Sequence, residues 1–349
     1  MKPASERAKP AKARAPLRRD EVVVSALALA GPALVGAAFG HLGAGMAAAV
    51  GGMAMGEALA GDTPREQASY LAHALAATLL ATLAGPLLSS NSGLAAFGIV
   101  VLTLFASLLG GASRPLAAAE TRFVLFMVIT SYVAARDPHP LSMVPLFYAG
   151  AAWGAGLNAL LIAWPARHPA GGSTPEPKPQ PARMQRWRRW ARVIRTREGL
   201  LHPLQLTTSL AIAEAIRAAW PEHHTHWIAL TVAIVVRRPA EELRKRVVER
   251  SAGTLAGVVG GSILLLPMPG AAVLVLVSVL AVLRAIFRNR KPGAYAAVMT
   301  PLVLILAEFG RPTSPEMLVD RLAATLIGGV LALAVAWLFR PRGKDQPPG

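Results

Sequence analysis

The chain contains no cysteine, which excludes disulfides, thiolate nucleophiles and cysteine-ligated metals. It is poor in charge: only 16% of its residues are Asp, Glu, Lys or Arg, where soluble domains usually carry about 25%. It is poorer still in acid, with 19 Asp and Glu against 36 Lys and Arg and a net charge of +17. It lacks a P-loop, an HExxH pair, a GxSxG elbow and an EF-hand loop. No enzyme signature is therefore present, no cofactor is expected, and ATP-driven work would need a separate subunit. Nor does it hold a basic region interleaved with aromatics, so the excess of positive charge does not point to nucleic acid.

The sequence is instead rich in long apolar runs. Hydrophobic residues make up 54% of its 349 positions, mean hydropathy is +0.45, and the apolar stretches are separated by short polar breaks. Crossing a bilayer takes about 20 apolar residues per helix. In lipid the backbone must satisfy its own hydrogen bonds, which selects helices, and the short alternating strands of a membrane barrel are missing. The expected fold is all-α, a polytopic membrane protein with about 12 spans: 22–40, 43–60, 70–88, 94–112, 117–135 and 141–164, then 201–219, 224–236, 251–267, 269–287, 293–308 and 318–339.

Orientation follows from Lys and Arg in the loops. With the N-terminus inside, the opposite loops hold only Arg136, Arg217, Arg311 and Arg321, and Arg122 falls within a span. All other basic residues face the cytoplasm, where an anionic leaflet attracts them. The organisation read from this is a basic cytoplasmic tail (1–20), a first six-span half (21–165), a cytoplasmic linker (166–200), a second six-span half (201–340) and a cytoplasmic tail (341–349). Within the linker, 169–182 (PAGGSTPEPKPQPA) reads as a flexible tether. Residues 183–197 (RMQRWRRWARVIRTR) place Met184, Trp187, Ala191 and Ile194 on one helical face. This is either an interfacial helix on the inner leaflet or a basic stop signal that enforces topology.

Two halves of six spans read as a tandem duplication with parallel halves, the first of them degenerate. The second half holds a finer echo. WIALT (227–231) is followed by Arg250, Thr254 and Gly257; YAAVMT (295–300) is followed by Arg321, Thr325 and Gly328. An odd number of spans separates the two, so the three-helix units would be inverted, an architecture that puts a substrate site near the midplane. In the first half the nearest match runs from His73 through Thr78 to Gly85 and has no Arg.

Three stretches, HWIALTVAIVVRRP (226–239), RVVERSAGTLAGVVGG (246–261) and YAAVMTPLVLILAEFG with DRLAATLIGGVLALAVAWL (295–310 and 320–338), give the second half its character. Over about 200–340 the chain resembles the fusaric acid resistance or aromatic acid exporter family, also called integral membrane bound transporters. The resemblance implies a bacterial inner (plasma) membrane protein that exports small aromatic or other organic acids. It implies a small organic anion as substrate and a periplasmic adaptor protein as partner. The larger exporters carry sizeable cytoplasmic regions after each half; here there is only the linker and the short tail.

Ionisable side chains inside a membrane cost enough to need a reason. Arg250 and Arg321 each begin a span and can present a guanidinium to a carboxylate, or they snorkel to headgroups or pair with Glu249 and Asp320. The expected anion site is Arg250, Arg321, Thr254, Thr325, Thr231 and Thr300. Expected proton carriers are Glu214, His73 and Asp320; Glu214 could equally pair with Arg217, and His73 could be a satisfied donor. Glu57, Glu120, Arg122 and Asn158 are further polar positions, and Glu120 and Arg122 could neutralise each other. Glu222, His223, His224 and His226 are close enough in sequence for a zinc or pH site, although a solvated loop explains them as well, and no metal is expected. Gly253, Gly257 and Gly261 form a packing ridge, as do Gly52 with Gly56 and Gly150 with Gly154. A proton-coupled exporter is the leading expectation, with a passive anion channel and a non-transporting scaffold as alternatives. A homo-oligomer is left open.

Overall fold

The computed structural model describes residues 19–56, 63–89, 92–136, 138–164, 183–220, 223–238, 240–266, 268–288, 290–307 and 314–340. The tether 169–182, residues 1–18 of the N-terminal tail, the C-terminal tail, Glu57, Glu222 and Arg311 lie outside the described residues.

The described residues form thirteen α-helices: α1 Arg19–Ala38, α2 Leu42–Met55, α3 Pro64–Leu88, α4 Ser92–Gly110, α5 Arg114–Ala134, α6 Val144–Ala163, α7 Arg183–Val193, α8 Arg197–Ala219, α9 His226–Val235, α10 Leu243–Gly261, α11 Gly270–Phe287, α12 Pro292–Ala307 and α13 Pro315–Leu338. Their starts are written locally. Thr63, Ser113, Thr196 and Ser314 each accept the backbone N–H three residues on, and Pro64, Pro115 and Pro315 stand in first turns, where no N–H is needed.

α1, α3, α4, α5, α6, α11 and α13 are long and apolar enough to cross a membrane, and α2, α9 and α12 are shorter apolar helices. α8 and α10 are more polar, with Glu198, His202, Glu214 and Arg217 on one and Arg244 to Arg246, Glu249 and Arg250 on the other. The chain is thus a multi-pass membrane protein. Its outer surface fits that solvent: Val248, Leu255 and Val259 on α10 and Val319, Leu326 and Val330 on α13 are all exposed. One boundary differs from the sequence reading. α10 starts at Leu243, because a charged first turn helices as readily as an apolar one, so Arg250 sits two turns inside it. α11, at Gly270–Phe287, keeps the expected span, and its Arg284, counted among the cytoplasmic cations, is buried within it.

The main helix pairings recur in both sets of six. α1 with α2, α2 with α6, α3 with α5, α3 with α6 and α4 with α5 pack in the first, and α8 with α9, α9 with α13, α10 with α12, α10 with α13 and α11 with α12 in the second. The seam between the sets is likewise reciprocal, α4 against α8 and α1 against α11.

Proline and glycine shape these crossings. Pro301 in α12 cannot bond the Ala297 carbonyl, and that oxygen lies where a Cβ on Gly257 of α10 would come within 2.5 Å. Pro32 of α1 likewise frees the Ala28 carbonyl, which abuts Gly52 of α2. Helix backbones in contact let small residues do the packing that the hydrophobic effect cannot do in lipid.

Candidate functional site

The echo read from the sequence is a packing relationship. Gly257 of α10 lies against Thr300 of α12, where an added Cβ would be 2.7 Å from the Thr300 Cβ. Gly328 of α13 lies against Thr231 of α9, with 2.9 Å to the Thr231 Cβ. The four helices that carry the signature therefore pair crosswise, α10 on α12 and α13 on α9, and α10 also packs on α13.

Arg250 and Arg321 are buried among them, 7% and 1% exposed, so neither snorkels to a headgroup. Neither uses the acid beside it. Glu249 pairs with Lys245 at 3.9 Å, and Asp320 accepts from His224 at 2.9 Å, with His223 at 3.4 Å. Among the described residues Arg250 and Arg321 have no carboxylate partner. The Nε of each and one Nη of Arg321 make no hydrogen bond.

What supports Arg321 is aromatic. Its guanidinium carbon lies 3.9 Å from the Trp227 ring centroid. Trp227 continues into a stack: His226 is 4.5 Å away, Tyr132 of α5 lies 3.2 Å from His226, and Arg136 covers the far face of Tyr132 at 4.0 Å. The column joins the first set of helices to the second. Neither Trp227 nor Tyr132 stood out in the sequence. Trp227 carried the one available signal, opening the stretch that ends at Thr231, whereas Tyr132 carried none.

The threonines divide in two. Thr300 and Thr325 donate back to the carbonyls of Ala296 and Arg321, at 3.0 and 2.9 Å. The hydroxyls of Thr231 and Thr254 are buried without a partner, as is the Trp227 indole N–H. In the first set Ser25 and Thr103 also have buried hydroxyls without a partner, but the threonine that matches Thr254 is bonded. Thr78 and Thr130 bond the carbonyls of Ala74 and Ala81, and Ala74 stands four residues before Thr78, the offset that separates Arg250 from Thr254. The second set thus encloses guanidinium, indole and hydroxyl donors that lack acceptors, an arrangement a buried site adopts for a ligand rich in acceptors.

The expected proton carriers fall in three settings. Glu214, 2% exposed, accepts from Arg217 at 2.7 Å. His73 is half-buried, its Nδ1 2.7 Å from the Ser69 carbonyl. Asp320 borders a cleft of about 220 Å³, with His224, Trp220, Ile228 and Ala324 also on its walls. His226, grouped in sequence with this loop, is instead buried in the first turn of α9. Among the described residues no group of His, Asp and Glu could hold a metal ion. Glu120 does not pair with Arg122, which bonds the Ala118 carbonyl at 3.2 Å; its partner is His202.

Other polar groups are structural. Asn158 bonds the Met55 and Gly154 carbonyls. Arg284 donates to the Met53 carbonyl at 3.1 Å and Arg288 to that of Gly56 at 3.4 Å, cations at the C-terminal end of α2. α7 is a helix, and Trp190 fastens it to the end of α4 through the Leu108 carbonyl at 2.8 Å.

Residues 208–335 match the family described as fusaric acid resistance protein-like, the family the sequence resembles. The match covers α9 to α12 and most of α8 and α13, with all six residues of the expected anion site. No curated protein and no solved structure gave a significant match.

Proposed function

We propose, from the match of residues 208–335 to the fusaric acid resistance protein-like family, that the chain is a transporter, not an enzyme, and moves small organic anions, aromatic acids among them, out across the bacterial inner membrane. The observation that carries this is the pair Arg250 and Arg321, buried, without a carboxylate, and beside unpartnered hydroxyls. An unpaired buried charge is strongly unfavourable. A carboxylate bound to either guanidinium would neutralise that charge and match its fork geometry. Thr231 and Thr254 would complete its shell, with Thr300 and Thr325 lining the helix crossings.

Binding and release then follow from movement of the inverted units α8–α10 and α11–α13 about this point. Asp320 with His224, at the outer cleft, is the best placed of the expected proton carriers, because both partners can carry an exchangeable proton and they border the cleft. Glu214, locked to a permanently charged Arg217, holds its place in the helix, and His73 serves its own helix.

Binding tests this reading without transport. A ligand that binds only the folded protein raises its unfolding temperature. Benzoate is expected to stabilise the purified protein and to leave the Arg250→Gln/Arg321→Gln double variant unmoved. Equal stabilisation of both would remove the arginines from the site.

A further inference from the structure

A second imidazole–carboxylate pair lies at the other end of the molecule, away from the site above. Glu120 Oε1 of α5 is 2.8 Å from His202 Nε2 of α8, with the side chains 3% and 11% exposed. Arg238, just beyond α9, brings its Nε to 3.9 Å from the other carboxylate oxygen and donates to the Ser107 carbonyl at 3.0 Å. Space for that oxygen exists because residue 110 is glycine; a Cβ there would overlap Glu120 Oε2. Both residues stand in the second turn of helices that begin on the side where the positive-inside count puts the cytoplasm.

We propose that Glu120 and His202 form the inner proton-binding site of the transport cycle, which rests on the transporter reading above. Three features carry this. The pair is buried between membrane-protein helices, where ionisable groups mark proton paths. It joins α5 of the first set to α8 of the moving unit α8–α10, so movement of that unit against the first set makes or breaks the 2.8 Å contact. And it is exchangeable. Imidazole and carboxylate can each bind and release a single proton, and Arg238 adds a cation beside the carboxylate. The Glu214–Arg217 pair cannot do this, because arginine stays protonated.

The other charged and titratable groups near this end of the surrounding elements are Arg114 and Arg122 on α5, Arg65, Glu66, Tyr70 and His73 on α3, Arg197 and Glu198 on α8, Arg237 beside Arg238, and Arg188, Arg189 and Arg192 on α7; α4 has none. With Asp320–His224 at the outer cleft, the chain then has one proton site at each end, the arrangement that inward proton flow against outward anion flow needs.

The test uses the full-length protein in proteoliposomes with radiolabelled benzoate. In Glu120→Gln and in His202→Gln, gradient-driven accumulation is expected to be lost while benzoate–benzoate exchange, which needs no net proton movement, continues at the wild-type rate. Glu120→Asp, which keeps a carboxyl group, is expected to accumulate benzoate with a shifted pH dependence. Accumulation that persists in both Gln variants overturns the inference, as does loss of accumulation and exchange together in variants of normal abundance. Should Gln at 202 not insert, Asn there is the second replacement, judged by the same two readouts. A wild-type protein that neither exchanges nor accumulates benzoate contradicts the transporter reading itself and this proposal with it.

Discussion

Arg321 rests on Trp227, guanidinium over indole at 3.9 Å, in a place where neither has another polar partner among the described residues. A desolvated cation–π contact of this kind is worth about 2 kcal/mol. Trp227→Phe should therefore lower stability by about 1–2 kcal/mol through the smaller ring and the weaker quadrupole. Much of that loss should vanish in an Arg321→Gln background, because the contact is already gone. Thermal unfolding of the four proteins in one detergent gives the double-mutant cycle; equal losses in both backgrounds would mean that the indole serves packing alone.

Arg250 and Arg321 should be costly to stability and needed for activity. Replacing an unpaired buried charge by a neutral group of similar shape is commonly neutral or stabilising. Arg250→Gln, which loses no aromatic contact, is expected to unfold at or above the wild-type temperature, Arg321→Gln to lose only its contact with Trp227, and both to lose benzoate transport. A marked drop in unfolding temperature would make them structural cations.

Two glycines three residues apart should behave oppositely. Gly257 faces the Ala297 carbonyl and Thr300, whereas Gly260 has nothing within 4 Å of where its Cβ would go. Gly257→Ala should destabilise by about 1–3 kcal/mol by forcing α10 from α12. Gly260→Ala should be neutral or slightly stabilising, since alanine is the better helix former. Denaturation midpoints of the two variants decide this.

Trp190 should hold α7 to the bundle. Trp190→Ala removes the bond to the Leu108 carbonyl and the edge contact with Trp187. Limited proteolysis should then cut within 183–197 faster than in wild type, with transport retained. Transport lost along with α7 docking would favour the scaffold role for this segment.

The sequence showed the helices well, because lipid imposes a length and a composition that few other environments do. The twelve apolar runs fall on α1–α6 and α8–α13, and the Arg-rich stretch on α7. The Arg, Thr and Gly echo was legible because close helix crossings demand small residues at fixed spacing, and Gly257 on Thr300 and Gly328 on Thr231 realise it. Pairings across the chain were not legible. Glu120 sits two residues from Arg122 yet bonds His202, 82 residues away, because Arg122 bonds the Ala118 carbonyl on its own helix while α5 meets the second set. Tyr132 under His226 was hidden for the same reason: a stack between helices leaves no periodicity in either one.

The most direct test of the transport claim is uptake of radiolabelled aromatic and aliphatic carboxylates into inverted membrane vesicles, with and without a proton gradient. Wild-type protein is expected to accumulate aromatic carboxylates only when the gradient is present, and the Arg250→Gln/Arg321→Gln variant, at equal membrane abundance, to accumulate none. Flux that ignores the gradient would indicate a channel, and undiminished accumulation by the double variant would contradict the account at its centre.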